Sequence, residues 1–346
     1  MRRHRDLFDR VTSFENVLAA ARAALRGKRA RAAGAAFLVD LESEVVALHR
    51  ELREGRYRHG PYHYFEVHDP KTRTVAAAPF RDRVVHHAIV RVLEPLFEGH
   101  LIEDTYACRK GKGTHAAMRR AAGFARRFAY ALECDVARFF ASIDHDVLLA
   151  QVERVVGDPR LLVLLRHIVE SHADGERTEW IGEGLFDVRL RRRGIPIGNL
   201  TSQFLANVYL SPLDHFAKHG LRARGYLRYM DDFVLFGDDR ATLRAQGRAL
   251  KDQLAALRLR MHPDKYRLRP TALGVDFVGF VAFRDGRIRV RRASVRRFER
   301  RYRRQRFLVE RGRGEAAALT ESVRSWVAHA RHAKSQELRR AVLWQH

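Results

Sequence analysis

Apolar residues in the first 55 positions recur at three- and four-residue spacing. Leu18, Ala21 and Leu25, then Phe37, Leu41, Val45, Leu48 and Leu52, mark two helical runs separated by the basic stretch GKRARAAG at 27–34. Residues 56–80 change period. YRHGPYHYFEVHDPKTRTVAAAPF is aromatic, β-branched and broken at Pro61 and Asp69-Pro70, which predicts strands joined by turns. Helical spacing returns at Asp82, Val84, Ala88, Val92 and Leu96, with Pro95 expected to interrupt it. Gly111 and Gly113 mark a loop before another helix. FAYALECDV (128–136) predicts a strand ending at Asp135, and Asp144 stands where it can cap DVLLAQVERVV. Residues 171–193 read as an inserted loop or hairpin. A glycine-proline turn then feeds the apolar helix NLTSQFLANVYLSPLDHFA, and YLRYMDDFVLFGDD reads as two short strands about an acidic turn. The helix TLRAQGRALKDQLAALRL and the short strands YRLRP, VDFVGFVAF and RIRVR complete an α+β pattern.

A chain of 346 residues exceeds one small core, so two or three subdomains are expected, and 46% apolar content excludes wholesale disorder. Charge changes the picture more. The formal net charge is +25, which makes nucleic acid the first partner to expect and an anionic membrane the second. No segment approaches the roughly 20 consecutive apolar residues of a bilayer span. Of the 66 cationic residues 58 are Arg, a bias that suits bidentate phosphate contacts and that a GC-rich gene would also produce. From Arg284 to Arg313 there are 14 Arg against Asp285, Glu299 and Glu310. Within that run Arg292, Arg296, Arg300 and Arg304 share one helix face, either tracking a phosphate backbone or forming a solvated surface. Cys108 and Cys134 are too few for a disulfide framework or a four-cysteine zinc site. MRRHRDLFDRV has no apolar secretory core, so a cytoplasmic location is expected.

Adjacent acids in a turn are common, and Asp231-Asp232 alone would carry little. Together with Asp135 at the end of an apolar strand, three carboxylates can converge on one site. Hard Mg²⁺ ions take oxygen ligands, and two such ions clamp the attacking and leaving oxygens of an in-line phosphoryl displacement. In a strongly cationic chain this predicts template-directed nucleotidyl transfer.

At these residues the chain resembles reverse transcriptases. Strand-flanked YMDD (229–232) is the most specific motif, and other blocks follow in the family's order. PKTRTVAAAPFRDRVVHHAIV (70–90) resembles the fingers block, and TYACRKGKGTHAAM (105–118) the block after it. Asp135 to Asp146 resembles the first catalytic motif. RGIPIGNLTSQFLANVYLSPLD (193–214) resembles the template- and dNTP-contacting motif, and HPDKY (262–266) and VDFVGF (275–280) the last palm blocks. The resemblance implies a right-hand polymerase: an N-terminal extension and fingers over 1–129, a palm over 130–284 containing the 171–193 insertion, and a basic helical thumb over 285–346.

By the same resemblance Asp135, Asp231 and Asp232 are the catalytic acids, and with Val136 they form the site of two Mg²⁺ ions, for which Mn²⁺ can substitute. Lys71, Arg73 and Arg81 fall where fingers cations grip the incoming triphosphate; for Arg81 an ion pair with Asp82 is the plainer reading. Phe140 holds the steric-gate position that excludes a 2′-hydroxyl, and Phe139 is the core member by alternation. Ile197, Gly198 and Gln203 face the dNTP. Lys265 is a candidate proton donor to pyrophosphate or a surface lysine. Tyr229, Met230 and the thumb arginines are expected to contact nucleic acid. The implied partners are an RNA template, a DNA or RNA primer and dNTPs.

One departure points to a subtype. Most of the family reads Gln-Gly where this chain has Ile197-Gly198, and Gln203 stands where a proline is usual. That pattern resembles the enzymes of diversity-generating retroelements, which copy a template repeat with misincorporation at adenines and are accompanied by a small basic accessory protein. A generic bacterial enzyme of retron, group II intron or phage-defence type remains the alternative. So does a non-catalytic RNA-binding protein on the same fold, although all three aspartates are intact. Histidine-based nuclease chemistry is weaker still, because none of the 18 His has a metal-ligand spacing such as HExxH.

Overall fold

A computed structural model describes residues 3–68, 72–172, 179–180 and 190–344. Helices α1 (Leu7–Thr12), α2 (Phe14–Ala24), α3 (Ala32–Val39) and α4 (Leu41–Arg53) precede strands β1 (His63–His68) and β2 (Thr72–Ala77). Next come α5 (Phe80–Glu98), α6 (Thr114–Arg127), β3 (Tyr130–Asp135), α7 (Phe139–Ser142), α8 (His145–Glu153) and α9 (Pro159–Glu170). Strands β4 (Glu179–Trp180) and β5 (Leu190–Arg191) lead to α10 (Leu200–His215), β6 (Gly225–Tyr229), β7 (Asp232–Gly237) and α11 (Arg240–Ala256). The chain ends in β8 (Arg267–Pro270), β9 (Val275–Phe277), β10 (Phe280–Ala282), β11 (Ile288–Val290), α12 (Arg292–Glu310), α13 (Ala316–Ala330) and α14 (Gln336–Trp344). These elements divide into two compact units, each assembled from three stretches: 1–102, 137–215 and 252–260 in the first, 103–136, 216–251 and 261–346 in the second.

In the first unit α5 is the hub. Val84, Val85, Ala88 and Ile89 are fully buried, as are Val17, Ala20 and Ala21 of α2, which packs on it. Pro95 does not interrupt α5, contrary to the expectation from its ring. It falls in the last turn, so little of the helix follows the lost N–H, and burial of Leu93 and Phe97 on either side holds the end in place. Asp144 caps α8 as expected, its carboxylate accepting from the Asp146 and Val147 N–H groups at 3.1 Å. Strands β1 and β2 pair antiparallel from His63↔Ala77 to His68↔Thr72; the Asp69-Pro70 turn between them lies outside the described residues. The expected insertion at 171–193 contains a two-rung ladder, Glu179↔Arg191 and Trp180↔Leu190, while residues 173–178 and 181–189 lie outside the described ones.

The second unit holds a four-stranded antiparallel sheet of order β6-β7-β3-β8. Ala117, Ala121, Phe124 and Ala125 of α6 pack with Ala131, Leu227, Val234 and Phe236 of the sheet. Gly247 of α11 approaches the sheet so closely that a Cβ there would lie 2.6 Å from Leu132 Cδ2 and 2.4 Å from the Tyr266 hydroxyl. This close approach accounts for a glycine inside a helix, where it costs about 1 kcal/mol relative to alanine. Strands β9, β10 and β11 form a second antiparallel sheet. Helices α12, α13 and α14 gather around Phe298 and Trp326, whose rings stack 4.2 Å apart.

Candidate active site

Register brings the acids together. Asp135, the last residue of β3, lies directly opposite Asp232, the first residue of β7. Met230 and Asp231 form the two-residue turn closed by the Tyr229↔Asp232 pair, with Met230 in the left-handed region at φ 57°. The Val136 N–H donates to the Asp231 carbonyl at 3.2 Å, so the turn is tied to the chain just beyond Asp135. The Tyr229 hydroxyl lies 3.1 Å from Thr114 Oγ1 at the start of α6.

Like charges directly opposite in a ladder repel. The sheet tolerates them because Lys265, from the short helical turn Pro263–Lys265, forms ion pairs with both Asp135 and Asp232, the latter at 3.5 Å. That turn is fixed beside β3 by the His262 N–H, which donates to the Asp135 carbonyl at 2.8 Å. Burial and the neighbouring Asp135 carboxyl raise the Asp232 carboxyl well above the usual range, with Lys265 opposing. For Lys265 burial alone would lower the ammonium, yet the hydrogen bond to Asp135 and the charges of Asp232, Asp135 and Asp231 carry it above its ordinary value. Lys265 is therefore no free surface lysine.

Among the described residues no group of three or more His, Cys, Asp or Glu side chains is gathered closely enough to hold a metal ion unaided. The donor chemistry nonetheless fits a hard divalent cation. Two opposed carboxylates with a third in the adjoining turn offer only oxygen ligands, the donor type such an ion prefers.

The other expected site residues lie in the first unit. Ile197 accepts from the Ala76 N–H through its carbonyl at 3.1 Å. Gly198 has φ 110°, and a Cβ there would meet Val75 Cγ1 at 2.8 Å, so only glycine fits against β2. Asn199, which sequence reasoning missed, is buried and clamps the same strand: its Nδ2 donates to the Ala76 carbonyl at 3.0 Å and its Oδ1 accepts from the Ala78 N–H at 3.4 Å. No local signal marks it, because the carbonyl it binds lies 123 residues upstream. Gln203 is half-buried in the first turn of α10. Phe140 is half-buried beside fully buried Phe139, with ring centroids 5.4 Å apart, as the alternation predicts. Its carbonyl accepts from the Ile195 N–H at 2.9 Å, joining α7 to the segment that carries Ile197.

The fingers cations differ among themselves. Lys71 lies outside the described residues, and Arg73 is exposed on β2. Arg81 pairs with Glu51 at 2.7 Å and Glu44 at 3.3 Å and not with Asp82. Asp82 is buried, accepting from the Tyr57 hydroxyl at 2.6 Å and the Gly60 N–H at 3.0 Å. In the second unit Arg292, Arg296, Arg300 and Arg304 are all exposed on α12, and among the described residues none has a carboxylate partner. No described helix is long and apolar enough to cross a membrane.

A β-hairpin carrying two acids beside a strand that ends in a third, within a small antiparallel sheet, defines a nucleotidyl transferase of the palm type. The family model "Reverse transcriptase (RNA-dependent DNA polymerase)" matches residues 67–282, and the chain belongs to that family. It is thus an RNA-directed DNA polymerase with the right-hand fold. RNA template and primer binding and dependence on a divalent metal come with family membership. Among curated relatives it is similar to Protein YkfC of Escherichia coli K12, at 26% identity over 69% of this chain and 71% of that protein. It is also similar to the group II intron-encoded protein LtrA of Lactococcus lactis, at 24% identity over 51% of this chain but only 28% of LtrA. Among solved structures it resembles Candida albicans telomerase bound to a telomeric RNA fragment, with TM-score 0.45 and 13% identity over 70% of this chain and 48% of that one.

Proposed function

We propose that the chain copies an RNA template into cDNA by nucleotidyl transfer at Asp135, Asp231 and Asp232, with fingers up to residue 129, a palm to 284 and a thumb from 285. The reading is carried by the Asp135↔Asp232 register, with the Lys265 ammonium paired to both acids. The three carboxylates and the backbone at Val136 would hold Mg²⁺, or Mn²⁺ in its place. When bound, the metal pair clamps the attacking and leaving oxygens. Lys265 keeps a proton at the site within reach of a departing pyrophosphate. Phe140 excludes the 2′-hydroxyl, Ile197, Gly198 and Gln203 shape the dNTP pocket, and Arg73 and Lys71 hold its triphosphate. Arg81 serves that role only by giving up Glu44 and Glu51. Asp231→Ala should abolish dNTP incorporation on a primed RNA while RNA binding stays within a few-fold; surviving synthesis would sink the assignment.

The subtype reading is an error-prone enzyme that diversifies a target gene, working in the cytoplasm with a small basic accessory protein. Ile197 in place of glutamine supports it: an aliphatic side chain offers shape but no hydrogen bond to penalise a mispair, a difference of about 1–3 kcal/mol per contact. A group II intron-type enzyme is the second reading, favoured by the likeness to LtrA. Sequencing cDNA made by the wild type and by Ile197→Gln separates them. Misincorporation opposite template adenine that falls in the variant supports the first reading, and uniformly low error in the wild type supports the second.

A further inference from the structure

Arg228 has the largest side chain among those fully buried, at 0% exposure, although it is charged. Taking a guanidinium out of water is unfavourable unless its donors are used. One use is visible. Nη1 donates to the carbonyl of Met230 at 2.9 Å, reaching two residues forward along its own strand into the acidic turn. The residue is itself anchored through its backbone. Its N–H donates to the Asp104 carbonyl at 2.9 Å and its carbonyl accepts from the Tyr106 N–H at 3.0 Å, so the 104–106 segment runs beside β6 and holds Arg228 fixed.

Met230 needs such a restraint. At φ 57° a residue with a Cβ occupies a sparsely populated region, and such conformations persist only where surroundings over-determine them. The carbonyl that Arg228 grips belongs to the peptide linking Met230 to Asp231. The Asp231 carbonyl in turn accepts from Val136 next to Asp135, and Asp232 faces Asp135 across the ladder. A rotation of that one peptide would therefore change how all three acids face one another. We propose that Arg228 is a positioning residue for the reaction: its buried guanidinium locks the left-handed Met230 and so sets the mutual orientation of Asp135, Asp231 and Asp232. This rests on the reading of those acids as the catalytic site.

Arg228→Lys is the test, since it keeps the charge but loses the planar fork. The expected result is a tenfold or larger fall in kcat, with KM for dNTP and affinity for primed RNA within twofold. Hydrogen exchange should quicken at the amides of the 229–232 turn while the amides of β6 and β7 remain protected. Glycine accepts positive φ freely, so the kcat loss caused by Arg228→Lys should shrink to threefold or less in a Met230→Gly background. Unchanged kcat in Arg228→Lys would overturn the proposal. So would exchange quickening equally through β6, β7 and the turn, the mark of mere core packing. If the wild type makes no DNA, or Asp231→Ala still does, the polymerase reading fails instead, and hydrogen exchange still tests Arg228 on its own.

Discussion

Two acidic centres in the second unit neutralise their charge in opposite ways. Asp104 is a single buried carboxylate that takes two cations, with Arg120 Nε at 2.7 Å and Lys218 Nζ at 2.8 Å, and the Tyr106 hydroxyl at 3.3 Å. Burial alone would raise its carboxyl, but Arg120 and Lys218 hold it below the usual value. At the β3–β7 ladder Asp135 and Asp232 share the one Lys265 ammonium, and Asp232 is raised. Asp104 is saturated, so its work is structural. In the ladder a single ammonium is divided between two opposed carboxylates, an arrangement that a divalent cation can complete.

Crossed substitutions break this comparison most sharply. Asp135→Asn should cut synthesis on the order of a thousandfold while leaving thermal stability unchanged or slightly higher, because a like-charge pair worth about 0.2–1 kcal/mol of repulsion is gone. Asp104→Asn should do the reverse, losing about 2–3 kcal/mol and several degrees of Tm with kcat per folded molecule within a few-fold. Melting curves and single-turnover assays on both variants decide it, and a Tm loss in Asp135→Asn matching that of Asp104→Asn would make the ladder a structural centre too.

A second contrast lies among the cations. Arg81 is already paired, whereas Arg292, Arg296, Arg300 and Arg304 have no carboxylate partner among the described residues. Converting Arg292, Arg296, Arg300 and Arg304 together to alanine should lower the log–log salt slope of primed-RNA binding by about 0.7 to 0.9 for each contact made. A titration between low and moderate salt with an unaltered slope would leave these residues as a solvated face. Phe140→Ala should raise rNTP use relative to dNTP about tenfold, a size set by a single lost steric contact. Competition assays with matched rNTP and dNTP would read it, and unchanged discrimination would return Phe140 to packing.

The smallest effect concerns stability in acid. Burial first, then His59, His87 and Arg83, pushes the His86 imidazole down to about 3, and burial first, then Lys28, Arg26 and Arg91, takes His87 down to about 4. Both are neutral in the folded protein and protonate near 6.5 once unfolded. The stability that depends on this neutrality is therefore present above about pH 6.5 and is lost as pH falls toward 4 and then 3. Melting temperatures should drop between pH 7 and 5, and His86→Leu should flatten that limb. An unchanged slope would rule His86 out as its source.

Which parts of the site could be read in advance follows from how far apart in sequence the interacting groups lie. The strand that ends at Asp135 and the turn at Asp231-Asp232 were legible because strand alternation and a two-residue turn are local properties, and so were Phe139 as the core ring and Asp144 as a cap. The partners of Arg81 were not, because Glu44 and Glu51 lie a helix and a hairpin upstream and no period links them. Lys265 could be named from its motif but not placed, since its bond to Asp135 spans 130 residues. Arg228 escaped for a different reason. In a half-buried strand a charged residue reads as solvent-facing, and its bond to the Met230 carbonyl appears only once the turn has folded.

The interleaved path of the chain bears on synthesis and truncation. The first unit closes only when residues 252–260 join stretches that end at 102 and 215, and the second draws on the chain from 103 to the end. A ribosome must therefore release some 260 residues before either unit can be whole, and long-range closure of this kind slows folding. The family-matching span 67–282 is accordingly no independent folding piece: cut at 67, α5 would lose α2 and expose Val84, Ala88 and Ile89. Fragments bounded by sequence similarity should be recovered as aggregates, and a workable shortened enzyme has to keep its first helices.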